Sequence, residues 1–258
     1  MGVKKLLDLS GRTALVTGGS RGLGLQIAEA LGEMGAKVAV TARKQDELDA
    51  AVSQLKRSSI EAKAFVSDIG KRDDIPPLVD SLMKSFGRID ILVNNAGATW
   101  GAPAEDHPLE AWDKLMSVNL TGMFVLSQLA AKRSMIPAKW GRIINVASIA
   151  GLIGQDPRFA PTAAYTATKH GVVGLTRQLA AEWGKYGITV NAICPGFFPS
   201  KMTRATLDKM TKDIIEVTPN RRLGNDEDLK GLAVLLASEA SRHITGQAIA
   251  VDGGAVIV

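Results

Sequence analysis

Short, branched apolar runs alternate with longer amphipathic stretches along the whole chain. "TALVTG" (13–18), "KVAVTA" (37–42), "EAKAFVS" (61–67) and "DILVNNAG" (90–97) have apolar cores of strand length. Such continuous hydrophobicity, rather than strict alternation, is what a strand buried on both faces shows. Between them, "LGLQIAEALGEMG" sets Leu23, Ile27, Ala30, Leu31 and Met34 near one face of a helix that ends at Gly35. "DELDAAVSQLK" and "DIPPLVDSLMKSFG" follow the same logic. The second half predicts a long helix over 109–135, a strand at "GRIINVAS", a helix over 162–183, a strand at "GITVNAICPG" closed by Pro195, a helix at "DLKGLAVLLAS" and a last strand at "GQAIAVDGG". Strand, helix, strand repeated in this way predicts an open α/β sheet, parallel and covered on both faces. Two segments break the rhythm: 151–161, expected to be a loop, and 197–220, expected to start as a loop and carry short helices over a cleft. No polar linker interrupts the pattern, so residues 1–258 read as one domain.

Composition narrows the class without naming it. The 258 residues are 46% hydrophobic and 22% charged, enough to bury a core with no disulfide or metal staple. A lone cysteine, Cys194, cannot form an internal disulfide and fits a reducing, cytoplasmic setting. Beside the strand-ending proline and without a base near it in sequence, it reads as a small buried hydrophobe rather than a nucleophile. No apolar run approaches a membrane span. The net charge of +5 comes from scattered Lys and Arg with no dense basic stripe, so nucleic acid is not an expected partner. His107, His170 and His243 form no metal-spaced set, and no metal site is expected.

The sharpest local signal is "VTGGSRGLG", which joins the first strand to the first helix. Glycines at 18, 22 and 24 permit a tight turn and let a pyrophosphate approach backbone N–H groups at a helix N-terminus. No Gly-Lys-Ser/Thr follows, so this is not a Walker loop. At the end of the second strand an NAD site ordinarily carries an acidic residue for the ribose 2′-hydroxyl. Here the chain reads "TARK", with Ala42 in that place and Arg43 next, while Arg21 lies inside the turn itself. Two guanidiniums and no carboxylate suit a 2′-phosphate, so NADP is the expected cofactor. The expected contacts are Gly18, Ser20, Arg21, Gly22, Leu23, Gly24, Arg43, Asp68 and Ile69. Asp68 either accepts from the adenine amine or caps its own turn. "NNAG" at 94–97 follows the fourth strand, where Asn94 either lines the ligand or ties strand ends together.

Taken with Ser148, "VNLTG", "YTATK", "CPG" and "VDGG", these motifs resemble the short-chain dehydrogenase/reductase family over nearly the whole chain. The resemblance implies a single doubly wound, Rossmann-like domain with a seven-stranded parallel sheet, often as a homotetramer. It implies that Tyr165 is the acid/base, Lys169 its partner, Ser148 the carbonyl-orienting hydroxyl and Asn119 a fourth member in a proton relay. Asn94, Ala96 and Gly97 then line the cofactor, Ile193, Pro195 and Gly196 sit near the nicotinamide, and Thr203 meets the carboxamide or pyrophosphate. Relatives of this kind include 3-oxoacyl-carrier-protein reductases, gluconate 5-dehydrogenases and other carbonyl reductases.

The groups themselves support that chemistry. Reduction of a ketone by hydride transfer builds negative charge on oxygen, and a proton donor must answer it. Tyr165 and Lys169 stand one helical turn apart. A cation at that reach is expected to pull the tyrosine down from its usual pKa near 10. Substrate residues are expected after the strand ends: Trp100, Ser148, Ile149, Gly151, Gln155, Phe159, Phe197 and Phe198, with Arg158 and Lys201 as anion contacts at the rim. Such a slot suits a 3-oxoacyl thioester or another bulky ketone. "LDLSGRTALVTGGSRGLGLQIAEALGE", by contrast, looks like gluconate 5-dehydrogenases, which keeps a sugar acid as the alternative. Sixteen residues separate Ser148 from Tyr165, where many relatives have twelve, and the extra length falls in the substrate loop.

Overall fold

The computed structural model describes residues 1–158 and 161–258, so Phe159 lies outside the described residues. Its strands are β1 (Thr13–Thr17), β2 (Lys37–Ala42), β3 (Ala62–Val66), β4 (Ile91–Asn94), β5 (Gly141–Val146), β6 (Ile188–Pro195) and β7 (Ala248–Val251). They form one seven-stranded parallel sheet in the order β3-β2-β1-β4-β5-β6-β7. Every residue of β1, β4, β5 and β6 is buried, which is why those runs are mainly apolar on both faces.

Helices α1 (Val3–Leu7), α2 (Gly22–Glu33), α3 (Gln45–Arg57), α4 (Ile75–Phe86), α5 (Leu109–Met116), α6 (Gly122–Ala130), α7 (Ile136–Ala138), α8 (Ala163–Trp183), α9 (Arg204–Val217) and α10 (Lys230–Ala237) surround the sheet. Ile27 and Leu31 of α2, Leu48 and Leu55 of α3 and Leu236 of α10 pack into one core layer. Leu78 and Leu82 of α4, Leu126 of α6 and Leu179 of α8 pack into the other. The result is a single doubly wound Rossmann-like α/β domain. Among the described residues, no helix is long and apolar enough to cross a membrane.

Two expected elements differ in detail. The helical run over 109–135 is continuous but widens into π turns at Ser117–Thr121 and Ala131–Met135. At the first, Gly122 lies so close to Ile69 that a Cβ would stand 2.0 Å from its carbonyl oxygen, and Asn119 is turned fully inward. At the second, the Ser134 hydroxyl is drawn in to accept from the Ile89 N–H (2.8 Å). The segment 197–220 starts as a loop and carries short helices as expected, two runs that differ only in being joined, across non-helical backbone at Met210, into the single element α9.

The strand order reverses direction between β1 and β4, where connections leave toward opposite faces and open a crevice at the carboxyl ends. Its floor is clasped from both sides. The Thr17 hydroxyl accepts from the N–H groups of Asn95 and Ala96, both at 2.9 Å. The Asn95 amide donates back to the carbonyls of Thr17 (2.9 Å) and Gly18 (3.2 Å). A buried chain runs beneath: the Asn94 amide donates to Asn145 Oδ1, and the Asn145 amide donates to Thr176 of α8. Sheet and helix are thereby locked in register under the site.

Candidate active site

One cleft of about 790 Å³ runs along the carboxyl ends of the strands. Gly18, Ser20, Arg21, Gly22, Leu23, Gly24, Arg43, Asp68, Ile69, Ala96, Gly97, Pro195, Gly196 and Thr203 line it, together with Ser148, Tyr165 and Lys169.

The three glycines of the turn do different work. A Cβ on Gly24 would lie 2.4 Å from the Gly18 carbonyl oxygen, and one on Gly18 would lie 2.9 Å from the Asn95 amide nitrogen. These two permit close packing of loop, helix and β4 end. Gly22 has φ +53 with nothing within 4 Å of its would-be Cβ. Its open side and left-handed backbone leave room at the N-terminus of α2, as a pyrophosphate cradle requires. The residues present therefore fit a dinucleotide, with Asp68 at the adenosine side. One Asp68 oxygen accepts from the Gly70 N–H (3.0 Å), while the second has no donor among the described residues. The hydroxyls of Thr41 and Ser67, also on this stretch of cleft, are buried without a partner among the described residues.

At the other end, Ser148 follows β5 and Tyr165 projects from the first turn of α8. The Ser148 hydroxyl accepts from the Ala150 N–H (3.1 Å) and stands close enough to the Tyr165 phenol to favour its ionised form. Lys169 is 4% exposed; its ammonium donates to the Val146 carbonyl (2.8 Å) and stands 5.5 Å from the centre of the Tyr165 ring. The start of α8 is pinned by a bridge between Ala102 and Thr162, with the Ala102 N–H donating to the Pro161 carbonyl (2.9 Å).

Burial dominates the electrostatics here. It holds the Tyr165 phenol above its ordinary value, with the Ser148 hydroxyl pulling weakly the other way. The lowering expected from Lys169 is not among the influences on the phenol; desolvation sets the direction, and the phenol keeps its proton at neutral pH. Burial also pushes the Lys169 ammonium down to about 8. Cys194, beneath, is pushed up to about 11, mainly by burial, and stays a neutral thiol.

Several expected contacts lie elsewhere. Asn94 is buried, donating to Ser127 and Asn145, and its neighbour Asn95 reaches the cleft instead. Ile193 is wholly inside the core. Asn119 does not line the cleft: its amide clasps Ala98, accepting from the N–H (2.8 Å) and donating to the carbonyl (3.0 Å), and also donates to Thr168. The Thr203 hydroxyl lines the cleft but donates to the Phe198 carbonyl (2.6 Å), bracing its own loop.

Of the expected substrate residues, Phe198 borders the cleft but is buried against Gly224, and Ile149 and Gly151 are buried, Gly151 tight against the Lys169 backbone. Trp100 is exposed, Gln155 half-buried and Phe197 sits over a separate hollow, none of them on the cleft wall. Arg158 pairs with Asp156 (2.5 Å), whereas Lys201 does line the cleft. Sequence reasoning missed Ala98, Glu47, Ser67, Val118 and Met202. Only tertiary packing brings these to one wall, although Asn95 stood next to the residue chosen.

A dinucleotide cradle at the switch point of a doubly wound sheet, with serine, tyrosine and lysine at one end, defines a nicotinamide-dependent oxidoreductase. The short chain dehydrogenase family matches residues 12–211. The gluconate 5-dehydrogenase of Gluconobacter oxydans is 39% identical over 254 residues, covering 98% of this chain and 97% of its own. A 3-oxoacyl-(acyl-carrier-protein) reductase of Staphylococcus epidermidis is 39% identical over 244 residues, covering 94% and 98%. The crystal structure of a gluconate 5-dehydrogenase from Burkholderia cenocepacia in complex with NADP and tartrate superposes with a TM-score of 0.94 at 34% identity, covering 100% of both chains. The chain belongs to the short-chain dehydrogenase family and is an NADP(H)-dependent oxidoreductase acting on a carbonyl or alcohol substrate.

Proposed function

We propose that the protein reduces a bulky, partly apolar ketone, of the 3-oxoacyl thioester class, to a secondary alcohol with NADPH. The observation that carries this reading is the rim of the reactive end. Trp100, Ile153 and Met202 stand exposed on the segments that follow β4, β5 and β6. Met202 lines the cleft, and large apolar side chains held in water on the loops at the carboxyl ends of the strands support a ligand surface there. Lys201 on the cleft wall supplies a cation for an anionic carrier.

In this reading Ser148 donates to the substrate oxygen and orients it. Tyr165, whose desolvated phenol is held above its ordinary value and so protonated, gives its proton to the oxygen as charge develops there. Lys169 holds positive charge beside the phenol and stabilises the phenolate left behind. The reduced nicotinamide, when bound, supplies the hydride. Asn119 fixes the 95–98 loop and the widened helix turn, a positioning role.

A second reading, reduction of a keto sugar acid, draws on the gluconate 5-dehydrogenase relatives and on the burial of Phe198 and Ile149, which leaves less apolar wall than the sequence suggests. Oxidation of NADPH at 340 nm separates the two, using acetoacetyl-CoA, a longer 3-oxoacyl thioester and 5-ketogluconate. Turnover of thioesters alone is expected; turnover confined to 5-ketogluconate replaces the first reading with the second. The same proposal includes a homotetramer, supported by exposed Leu109 and Phe124 on the α5–α6 run and by the open space beside Gly174 on α8. Light scattering giving a monomer at all concentrations removes it.

A further inference from the structure

The 2′-phosphate side of the cleft contains a carboxylate that the sequence pattern did not announce. Glu47, in the first turn of α3, lines the same wall as Arg21, Arg43 and Lys44. Its Oε1 accepts from Arg21 Nη1 at 2.6 Å and stands 3.6 Å from Lys44 Nζ; its Oε2 accepts from the Ser20 hydroxyl at 3.4 Å. Arg43 makes no ion pair among the described residues. The side chain that would read a 2′-phosphate from the glycine-rich turn is thus already held by an anion of the protein's own.

We propose that Glu47 is a specificity-determining residue that narrows the preference for NADPH over NADH. This rests on the reading that Arg21 and Arg43 recognise the 2′-phosphate. A phosphate approaching Arg21 competes with the Glu47 carboxylate for the guanidinium and, once there, faces a like charge across a few ångströms. An unphosphorylated ribose meets neither cost, and its 2′-hydroxyl finds in Glu47 the acceptor that Ala42 does not provide. The sequence shows no acid at the end of β2, yet the fold returns one to the same wall from one turn into α3. Three cations against one carboxylate leave the wall net positive, so NADPH stays preferred, by less than the arginines alone would give.

The test measures dissociation constants for NADPH and NADH by coenzyme fluorescence, and for 2′,5′-ADP and 5′-AMP by calorimetry. The proteins are wild type, Glu47→Gln, Arg21→Ala and Arg43→Ala. Glu47→Gln is expected to raise the NADPH:NADH affinity ratio about fivefold, the scale of one partly exposed charge pair. The gain is expected in the 2′-phosphorylated ligands and to shrink at high salt. Equal changes for both coenzymes, or a lower ratio, overturn the proposal and make Glu47 a residue that merely positions Arg21. If the arginine variants also leave the ratio unchanged, the reading beneath it fails as well. If they lower the ratio while Glu47→Gln does not raise it, only the role of Glu47 fails.

Discussion

Strand β5 has a buried cation at each end, and the protein treats the two in opposite ways. At the amino end Arg142, 2% exposed, is almost fully partnered. It donates to the carbonyls of Ser238 (3.0 Å), Gly141 (2.9 Å) and Gly187 (3.3 Å) and pairs with Glu239 at 3.5 Å. Its guanidinium stacks on Trp140 at 4.3 Å, and that ring also meets Arg12 at 3.6 Å. At the carboxyl end Lys169 is nearly as buried but, among the described residues, donates to a single acceptor, the Val146 carbonyl. Burial pulls Arg142 down to about 10, still fully charged at neutral pH, and Lys169 to about 8, close to losing its proton. A saturated buried cation is architecture. One with spare donors and a pKa near the working range is poised for chemistry.

The largest expected effect falls at the carboxyl end. Tyr165→Phe removes the proton donor and little else, since the phenol's nearest polar influence is the Ser148 hydroxyl. A loss of about a thousandfold in kcat/KM is expected, with the melting temperature unmoved. Retention of more than about a tenth of wild-type activity would take Tyr165 out of proton transfer. At the amino end the pattern inverts. Arg142→Ala removes the guanidinium donors of the Gly141, Gly187 and Ser238 carbonyls, leaves Glu239 with Trp140 and Arg12 alone, opens a buried cavity and strips one face of Trp140. It is expected to cost about 3–5 kcal/mol, or roughly 10 °C in melting temperature, while the folded fraction keeps its turnover. Thermal melts beside active-site titration check both halves; a catalytic loss without a melting shift would erase the contrast.

How much of this was legible in the chain follows from where each signal resides. Strands β1, β4, β5 and β6 announce themselves because both of their faces are buried and most positions are apolar, the buried polar ones, such as Asn94, Arg142 and Asn145, being held by hydrogen bonds. Gly22, Ser148, Tyr165 and Lys169 are legible because helix spacing and strand ends are local properties. Asn94 was chosen over Asn95 because composition does not tell which of two adjacent side chains turns toward β5 and which toward the cleft. Phe198 read as substrate wall because an aromatic after a strand end looks the same whether it meets ligand or the backbone of Gly224. Glu47 was invisible, since its meeting with Arg21 joins residues 26 apart in sequence. The shift of Tyr165 was misjudged in sign because helical spacing supplies the cation but not the desolvation.

Lys169→Met sharpens the comparison from the other side. The substitution keeps the volume and removes a charge that burial disfavours. The distance from the usual 10.5 to about 8 corresponds to about 3 kcal/mol at neutral pH, offset by about 1 kcal/mol for the lost bond to Val146. A variant more stable by about 2 kcal/mol at pH 7, about 5 °C in melting temperature, and catalytically crippled is the expected outcome. Denaturant titration reads it; a less stable variant would place Lys169 with Arg142 as architecture.

The pH dependence of that difference is the finest discriminator. Between pH 8 and 10.5 the unfolded chain keeps the Lys169 proton while the folded chain releases it. The unfolded state binds more protons there, so wild-type stability relative to Lys169→Met rises with pH by at most about 1.4 kcal/mol per unit. The penalty is full below pH 8, where both states are protonated, and gone above 10.5, where neither is. Subtracting the variant's curve from the wild type's removes every other group that titrates in alkali and leaves this one. A flat difference across the window means the folded lysine titrates near its ordinary value, so that the charge at the carboxyl end of β5 is as well satisfied as the one at the amino end.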